Sequence, residues 1–436
     1  MCYAIPGRVK SVNKKTVVVD YFGEEKRAIN DFYDIQIGDY ICAQGGYVIR
    51  KVPSREAEEI LSAWKELFFE LQEIDLRLSR VSLDNNNIDR KLSHILDKAL
   101  ENLPLKKEEL LYLFSLEKEE SCDLLFKTAN FLRQKYHQNS CCVHGIVEIS
   151  NYCKQKCLYC GISLHNRNLQ RYRMKPEEIV DTCVEAVERY GFQALVLQSG
   201  EDPYYTVEML AEVIKEVKKK IPVLICISFG EIGLPGLEEL YKAGARGILM
   251  RFETSNPELY HTLHPGLKLE TRIAHIKRAY ELGYLIMTGA LVGLPGQRDE
   301  DIINDVYLAK KLCAEMFSFG PFIPHPDTPL GREKMPSTEK VLKVLSLARF
   351  IGKENAKILV TTAFETMDKE ARRKGLLAGA NSVMLNVTPL KYRKHYAIYP
   401  EKAYSKEAVE SQIDEAISLL KSLGRAPTDL GIGYQG

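Results

Sequence analysis

The segment GIVEISNYCKQKCLYCGI, residues 145–162, joins a strand-like run to three closely spaced cysteines. Its first six residues are mostly apolar and partly β-branched, which is typical of a buried strand. Cys153, Cys157 and Cys160 follow at once, in the spacing CxxxCxxC. The segment therefore predicts a loop for metal or redox chemistry directly at the end of a strand.

From residue 141 onward, strand-like and helical segments alternate. The first strand-like run, for example, is followed by MKPEEIVDTCVEAVERYG, whose apolar residues recur at helical spacing. The eight strand-like runs are 145–150, 193–200, 223–230, 246–254, 285–294, 316–322, 356–363 and 381–387. Eight such units predict an α/β protein with a (β/α)8 TIM-type barrel over residues 141–436. In these barrels the chemistry lies where strands end and loops begin, which is where the cysteines lie.

The part of the chain before the barrel has a different pattern. Residues 1–55 contain short alternating runs such as KTVVVDYF and GDYICAQGGYVIRKV, broken by Gly and Asn, which predict a small antiparallel OB-like β-barrel. A long amphipathic helix and linker are predicted over 56–82, and a helical lead-in over 90–140. The polar segment LDNNNID, residues 83–89, separates them.

Composition excludes several classes of protein. The chain has 436 residues and a formal net charge of +1, so it has no overall field that would attract nucleic acid. An uninterrupted apolar run long enough to span a membrane is not found, and MCYAIPGRVK does not have the pattern of a secretion signal. The 11 cysteines are scattered except for the set of three. We therefore expect a cytoplasmic protein that binds neither membranes nor nucleic acid.

The three cysteines could belong to a zinc site or to an iron–sulfur cluster. A structural zinc usually takes four protein ligands, whereas only one tight set exists here. Cys141 and Cys142 should lie near the opposite end of the first strand. A 4Fe–4S cluster held by three thiolates leaves one iron open for S-adenosylmethionine (SAM), and CxxxCxxC is the signature of radical SAM proteins. Lys154 and Lys156 would add positive charge, and Tyr159 can pack against the adenine of SAM.

Polar residues at other strand ends favour the same interpretation. The run LQSGEDP places Ser199, Gly200, Glu201 and Asp202 after the second strand, where a glycine permits close approach and the acceptors can bind an ammonium group. Arg251 and Glu253 end the fourth strand, and Arg272 lies on the helix that follows. An arginine can clamp a carboxylate, although an Arg–Glu pair can also simply stabilise a barrel.

The seventh and eighth strands end in further candidates. Thr361 and Thr362 could bind an anion or be ordinary strand residues. The run TPLKYRKHYAIYP follows the eighth strand, and its tyrosines could line a substrate cavity or cap the barrel core.

Several of these motifs together resemble the HydE family, the radical SAM maturases of FeFe-hydrogenases. They are SNYCKQKCLYCGI, VLQSGEDPYYT, GALVGLPGQ, GPFIPHPDTPL and TPLKYRKHYAIYP, and the resemblance covers about residues 95–430. It implies a 4Fe–4S cluster and SAM as cofactors. It also implies that a 5′-deoxyadenosyl radical attacks the sulfur of an iron–CO–cyanide–cysteine complex. HydG- and HydF-like maturases and a low-potential electron donor such as ferredoxin are the implied partners.

The resemblance also implies roles for individual residues. The cluster ligands would be Cys153, Cys157 and Cys160. The SAM contacts would be Tyr159, Ser199, Gly200, Glu201, Glu253 and Arg272. The residues around the substrate, implied as catalytic, would be Ser199, Arg251, Thr361, Thr362, Tyr396 and Tyr399. EKAYSKEAVESQI carries no cysteine, so we expect no second cluster of the kind that some family members bind there. His144, expected just before the first strand, and Cys226, expected at the end of the third, depart from the family pattern, which often has Arg and Thr at these places.

The N-terminal segment resembles a second family, HypC, the small chaperone of NiFe-hydrogenase maturation. The matching runs are MCYAIPGRV, VVVDYFGEEKRAI and IGDYICAQGGYVIRKV, and with the following helix the resemblance covers about residues 1–80. It implies that Cys2 binds an iron unit after removal of Met1. HypC proteins usually have a His where this chain has Gln44. The other possibility is a docking barrel in which Cys2 is inert.

Two other functions remain open from the sequence. One is a radical SAM enzyme that acts on an organic small molecule, as in methylornithine or biotin synthesis. The other is an assembly chaperone that binds iron complexes without turnover. The GEDP and PHPDTP motifs speak against the first, and the intact cysteine set speaks against the second.

Overall fold

The computed structural model describes residues 5–82, 89–354 and 356–430. Cys2, the candidate iron ligand, and most of the 83–89 break lie outside these residues. The predicted fold class is confirmed: a small closed β-barrel and helices precede a parallel (β/α)-type barrel.

The small barrel contains five described strands, in the order β1-β2-β3-β5-β4. They are β1 (Gly7–Asn13), β2 (Thr16–Tyr21), β3 (Glu24–Ile29), β4 (Tyr40–Gln44) and β5 (Tyr47–Val52). Alternation of apolar and polar residues along β2 points Val17, Val19 and Tyr21 into the core. The run GDYICAQGGYVIRKV forms the hairpin of β4 and β5, with Gly45 and Gly46 at its turn.

Four described helices connect the two barrels: α1 (Ser54–Leu78), α2 (Arg90–Leu100), α3 (Lys107–Phe114) and α4 (Glu119–His137). Helix α1 joins them through both apolar and charged contacts. Its Trp64 and Leu71 pack in the core of the small barrel. Its buried Asp75 accepts hydrogen bonds from both terminal nitrogens of Arg133 on α4, at 2.7 and 2.8 Å, and lies 3.0 Å from Nε of Arg425. Removal of α1 would therefore leave two buried arginines without this carboxylate.

The large barrel is a parallel sheet in the order β14-β12-β10-β9-β8-β7-β6-β15. Its strands are β6 (Ser140–Ser150), β7 (Ala194–Ser199), β8 (Leu224–Ser228), β9 (Ala245–Leu249), β10 (Leu285–Thr288), β12 (Met316–Phe317), β14 (Lys357–Ile358) and β15 (Ser382–Asn386). A bridge between Leu359 and Ser382 joins the two edges. Strands β11 (Leu291–Val292) and β13 (Gly320–Pro321) pair with each other, and β16 (Ala426–Pro427) pairs with the start of β6.

The helices of the large barrel lie between and after these strands. They are α5 (Pro176–Glu188), α6 (Val207–Lys220), α7 (Leu234–Ala243), α8 (Pro257–Leu263), α9 (Leu269–Leu282), α10 (Asp299–Lys311), α11 (Thr338–Ile351), α12 (Thr362–Met367), α13 (Ala371–Leu377), α14 (Leu390–Arg393) and α15 (Val409–Ser422). Their apolar faces and the outer faces of the strands form one continuous core.

Several predicted strands are shorter in the structure. The run 246–254 ends as a strand at Leu249, and 316–322 divides into β12 and β13. The run 356–363 keeps only Lys357–Ile358, because Thr361 caps α12 and its Oγ1 accepts a hydrogen bond from the Phe364 amide at 3.3 Å. His144 and Cys226 were expected just before the first strand and at the end of the third, and both predictions were wrong, since each residue lies within its strand.

The small barrel packs against the end of the large barrel at which the strands begin. Its Cys42, Tyr47 and Ile49 share one apolar core with residues inside the large barrel, such as Leu224 and Met287. Tyr47 donates a hydrogen bond through its hydroxyl to the Gly283 carbonyl at 2.8 Å. The small barrel thus closes the floor of the large barrel and leaves its opposite end to the cysteine loop.

In the part of the chain that the structure describes, none of the helices combines the length and apolar character needed to cross a lipid bilayer.

Candidate functional site

The three cysteines converge on one cavity at the ends of the barrel strands. The loop between β6 and α5 carries them, and Cys153, Cys157 and Cys160 all line a cavity of about 330 Å³. Arg171 stabilises this loop by binding its backbone. Its guanidinium donates hydrogen bonds to the carbonyl oxygens of Ile162 and Ser163, each at 2.8 Å. Arg171, in the run QRYRM after the cysteines, therefore shapes the loop, a role that the sequence did not predict.

The chemistry of the three thiols suits a metal cluster. Burial raises the pKa of Cys153, and burial together with Cys153 raises the pKa of Cys160 to about 12. The pKa of Cys157 rises well above its usual value through burial and through the two neighbouring thiols. Three mutually repelling thiolates need positive charge between them, which bound iron provides. The donor set therefore fits a cluster held by three cysteines.

The segment after β7 lies directly beside the cysteine loop. A side chain at Gly200 would place its Cβ 2.2 Å from the Tyr152 carbonyl oxygen and 2.7 Å from Cβ of Cys153. Only glycine permits this approach. Ser199 lines the cavity, and its hydroxyl donates a hydrogen bond to the Gly200 carbonyl at 2.6 Å.

The two carboxylates of this segment have different neighbours. Glu201 lines the cavity, accepts a hydrogen bond from the side-chain amide of Gln155, and lies 3.6 Å from Arg272. Asp202 accepts two hydrogen bonds from Arg173, at 2.7 and 2.8 Å, and one from the Ser150 hydroxyl at 2.7 Å. Asp202 therefore ties the second strand end to the cysteine loop, whereas Glu201 faces the cavity.

Arg251 and Glu253 form a pair in the wall of the cavity. Nη2 of Arg251 lies 2.7 Å from Oε2 of Glu253. Burial acts to raise the pKa of Glu253, but the Arg251 guanidinium holds it below the usual value. The carboxylate is therefore ionised and available as an acceptor.

Arg272 on α9 reaches the same cavity between two carboxylates. Its Nε donates a hydrogen bond to Oε1 of Glu231 at 3.0 Å, on the opposite side from Glu201. Burial acts to lower the pKa of Arg272, but neighbouring Tyr260 and Glu231 keep it raised. The sequence analysis missed Glu231, although its place in FGEIG directly after the third strand could have indicated it.

Tyr159 lies between the second and third cysteines and is fixed by a histidine. Nδ1 of His264 is 2.9 Å from the Tyr260 carbonyl oxygen, so this nitrogen carries the proton and Nε2 is an acceptor. The Tyr159 hydroxyl donates to Nε2 at 2.9 Å. Burial lowers the pKa of His264 to about 4, so the ring is neutral at physiological pH. His264 is a further cavity residue that the sequence analysis missed.

The remaining predicted residues also line the cavity. Thr361 caps α12, Thr362 begins it, and Tyr396 and Tyr399 follow α14. Near them, Lys402 forms a buried ion pair with Glu148, which also accepts a hydrogen bond from the Asn386 amide at 2.9 Å. Glu148 could have been noticed as the charged residue in the apolar run GIVEIS, whereas no local signal marked Lys402.

Comparisons with known proteins decide the family of this chain. Residues 147–309 match the model of the radical SAM superfamily, and residues 1–64 match that of the HupF/HypC family. The [FeFe] hydrogenase maturase subunit HydE of Thermotoga maritima is 39% identical over 333 residues, covering 76% of this chain and 94% of the relative. The chain is a radical SAM enzyme of the HydE family. Members of the superfamily use a 4Fe–4S cluster and SAM.

More distant relatives of this HydE-family chain carry other names. The 3-methylornithine synthase of Methanosarcina acetivorans is 32% identical over 289 residues, covering 66% of this chain and 81% of the relative. A crystal structure of methylornithine synthase superposes with a TM-score of 0.67 at 26% identity, covering 76% of this chain and 97% of the other. The HydE-type barrel is thus shared with enzymes whose names refer to an amino acid product.

Proposed function

We propose that this chain is a HydE-type maturase whose cluster and SAM supply a 5′-deoxyadenosyl radical that attacks the sulfur of an iron–CO–cyanide–cysteine complex. One observation carries the proposal: the three thiols, the Arg251–Glu253 pair and Arg272 line one cavity in a chain that matches nearly the full length of HydE.

The cysteine loop would hold the cluster through Cys153, Cys157 and Cys160. Arg171 keeps the loop in place by binding its carbonyl oxygens, and Gly200 allows the second strand end to approach it closely. The iron would offset most of the mutual repulsion of the three thiolates when bound.

SAM would be held by the residues that surround the loop. Glu201 and Glu253 are acceptors suited to its ammonium group, and Ser199 and Gly200 allow close approach. Arg272 suits its carboxylate, and Tyr159 can pack against its adenine. Because His264 fixes the Tyr159 hydroxyl at 2.9 Å, the ring is positioned before the ligand arrives.

The iron complex would occupy the deeper part of the cavity. Arg251, Thr361 and Thr362 offer donors for an anionic complex, while Tyr396 and Tyr399 border it. The floor beneath them is apolar, with Ile146, Leu359 and Met384. With SAM and the complex filling this cavity, water and stray hydrogen donors would be kept from a reactive radical.

The small barrel would receive or dock the iron unit. We propose that residues 1–55 form this HypC-like unit, that 56–82 and 90–140 connect it, and that 141–436 form the catalytic barrel. The match to the HupF/HypC family and the apolar core shared with the large barrel support this arrangement. HydG- and HydF-like maturases and a low-potential donor such as ferredoxin would be the partners, with Cys2 as a candidate iron ligand.

Radical chemistry on an organic small molecule is the second candidate, and the similarity to 3-methylornithine synthase favours it. A non-catalytic iron chaperone is the third candidate, and the match to the HupF/HypC family favours it.

The test is an anaerobic assay of the reconstituted full chain with SAM, dithionite and the iron–CO–cyanide–cysteine complex. EPR would follow radicals, and chromatography would follow 5′-deoxyadenosine. We expect a paramagnetic intermediate that depends on the complex. Deoxyadenosine formation that only an organic substrate stimulates would support the second candidate. Binding of the complex without any SAM cleavage would support the third.

A matched variant tests the small barrel. Deletion of residues 1–90 is unsuitable, because it removes Asp75 from Arg133 and Arg425. We instead expect Cys2→Ser to lower delivery of the iron complex while SAM cleavage persists. If the parent and Cys2→Ser convert a limiting amount of the iron complex equally fast, Cys2 is inert.

A further inference from the structure

A second group of metal-binding side chains lies at the floor of the large barrel. Cys142 and His144 are two residues apart on β6, so both point into the barrel interior. The C-terminal segment after β16 runs beside them. The Thr428 amide donates a hydrogen bond to the Cys141 carbonyl at 2.9 Å, and the Asp429 carbonyl accepts one from the Gln193 amide at 2.8 Å. Asp429 is thereby placed next to β6.

The side chains of this floor cluster, Cys142, His144 and Asp429, are close enough to share one ion. One ligand atom from each lies within 4.8 Å of the other two. Nε2 of His144 is 3.3 Å from Oδ2 of Asp429. Two ligands bound at about 2.0–2.1 Å in a tetrahedron stand about 3.3 Å apart, so this pair already has the required spacing. The Thr428 hydroxyl lies 3.4 Å from Sγ of Cys142 and 3.1 Å from Oδ2 of Asp429, so it borders the same site.

Burial and hydrogen bonding distinguish the floor cluster from an ordinary ion pair. The exposed fractions of Cys142, His144 and Asp429 are 4%, 4% and 0%. Nδ1 of His144 and Oδ1 of Asp429 are both buried and have no hydrogen-bond partner among the described residues. Buried polar atoms are rarely left without a partner, so His144 and Asp429 each retain an unused donor or acceptor besides the atoms of their mutual contact.

The charge of the cluster also suits a dication. A carboxylate and a thiolate together balance two positive charges. A sulfur, an imidazole nitrogen and a carboxylate oxygen form a donor set that suits Zn²⁺ or Fe²⁺ and does not suit Mg²⁺ or Ca²⁺.

We propose that Cys142, His144 and Asp429 bind a divalent transition-metal ion at the floor of the barrel. This site is separate from the cysteine loop. At about 3.3 Å per residue, Ser150 at the far end of β6 lies about 26 Å along the strand from Cys142. Ile146 and Met384 close the catalytic cavity above the floor cluster.

The proposed ion would hold the C-terminal segment against β6 where the small barrel rests on it. The Gln44 side chain donates hydrogen bonds to the Thr428 carbonyl and to Oε1 of Gln193, each at 2.6 Å. Thr428 directly precedes the ligand Asp429. The metal would therefore stabilise the platform on which the N-terminal barrel docks.

The experiment separates this site from the cluster. In the full chain, Cys153, Cys157 and Cys160 are replaced by Ser, so that cobalt cannot bind in the loop. Anaerobic titration with Co²⁺ is then followed by absorption. We expect a thiolate-to-cobalt charge-transfer band together with the visible bands of tetrahedral Co²⁺. Zinc analysis of the same protein, purified from zinc-supplemented medium, should show bound metal that Co²⁺ competes with.

Point variants identify the ligands. Cys142→Ser should abolish the charge-transfer band, and Asp429→Asn, which is nearly isosteric, should weaken binding by roughly tenfold or more. Cys141→Ser is the matched control, because Cys141 lies on the same strand but points into the core between sheet and helices. Absence of the band in the parent protein would overturn the proposal. Survival of the band in both Cys142→Ser and Asp429→Asn would also overturn the proposal. These readouts do not depend on SAM cleavage.

Discussion

Glu253 adopts a left-handed backbone conformation, with φ of 66°, while its carboxylate accepts a hydrogen bond from Arg251 at 2.7 Å. This backbone region is unfavourable for a residue with a long side chain, and such residues concentrate at functional sites. The Leu291 amide donates to the Glu253 carbonyl at 2.9 Å and helps to hold the conformation. The fold thus maintains local strain in order to turn this carboxylate into the cavity.

Replacement of this carboxylate should weaken SAM binding. Glu253→Gln keeps the size of the side chain but removes its charge. A hydrogen bond to a charged group contributes about 1.5–3 kcal/mol, so the Kd for SAM should rise roughly 10- to 100-fold. Equilibrium binding of SAM to the reconstituted protein measures this. Glu258→Gln, an exposed residue on α8, is the control. An unchanged Kd would remove Glu253 from the SAM site.

Loss of one cluster ligand should abolish chemistry and leave the fold intact. In Cys157→Ala we expect 5′-deoxyadenosine to fall to the level of a protein-free control, because only two loop thiolates remain. Circular dichroism should match the parent, since the Cys157 side chain lines the cavity. Cys183→Ala, buried on α5, should keep full activity. Deoxyadenosine production by Cys157→Ala would contradict the cluster assignment.

Arg171 should control cluster content without touching the cluster. Its guanidinium binds the loop carbonyls of Ile162, Ser163 and Asn166 in a fixed fork that an ammonium group cannot reproduce. Arg171→Lys should therefore lower the iron content after reconstitution and broaden the EPR signal of the reduced cluster. Arg167→Lys, an exposed neighbour on the same loop, should leave both unchanged. Equal iron content in the two variants would refute the positioning role.

His264 should make the chain less stable in mild acid. Its folded pKa of about 4 lies below the ordinary value of about 6.5, so the unfolded chain binds a proton that the folded chain does not. Stability is therefore fully present above pH 6.5 and is lost as the pH falls toward 4. Between pH 7 and pH 5 this loss amounts to about 2 kcal/mol.

Urea unfolding of the cluster-free chain at the two pH values measures this effect. His264→Gln should show a decrease smaller by about the same amount. A matched control is His261→Gln on the exposed side of α8. If His264→Gln and the parent lose equal stability on acidification, burial of His264 does not govern the pH dependence.

The barrel could be predicted from the sequence because its signals are local. Apolar runs such as that of β7 and the helical periodicity of α5 repeat along the chain, and the cysteine loop follows its strand directly. The predicted strand ends were less reliable. The strand predicted over 356–363 ends early because Thr361 caps α12. Strand propensity alone does not decide whether this residue continues the strand or begins the helix.

Other features depend on contacts between distant residues. Glu148 and Lys402 form a buried pair but lie 254 positions apart, so neither predicts the other. The left-handed conformation of Glu253 and the hydrogen bond from Tyr159 to His264 likewise arise only after the barrel has closed. The packing of the small barrel on the floor of the large one also carries no local pattern.

The turn between β4 and β5 tests that packing most directly. Gly45 and Gly46 both have positive φ, 56° and 79°, so alanine is strained at either place. A Cβ at Gly45 would also lie 2.3 Å from Cδ1 of Leu285 and 3.0 Å from Cδ2 of Leu224, on the floor of the large barrel. A Cβ at Gly46 would meet nothing within 4 Å. Gly46→Ala is therefore a matched control for backbone strain.

We expect Gly45→Ala to loosen the small barrel from the large one, and Gly46→Ala to leave the contact intact. Hydrogen exchange at the amides of β8 and β10 should accelerate in Gly45→Ala only, since these strands lie beneath the turn. SAM cleavage should persist in both variants, because the cavity lies at the other end of the strands. Delivery of limiting iron complex should fall in Gly45→Ala if docking serves transfer. Equal exchange in the two variants would show that this turn does not hold the barrels together.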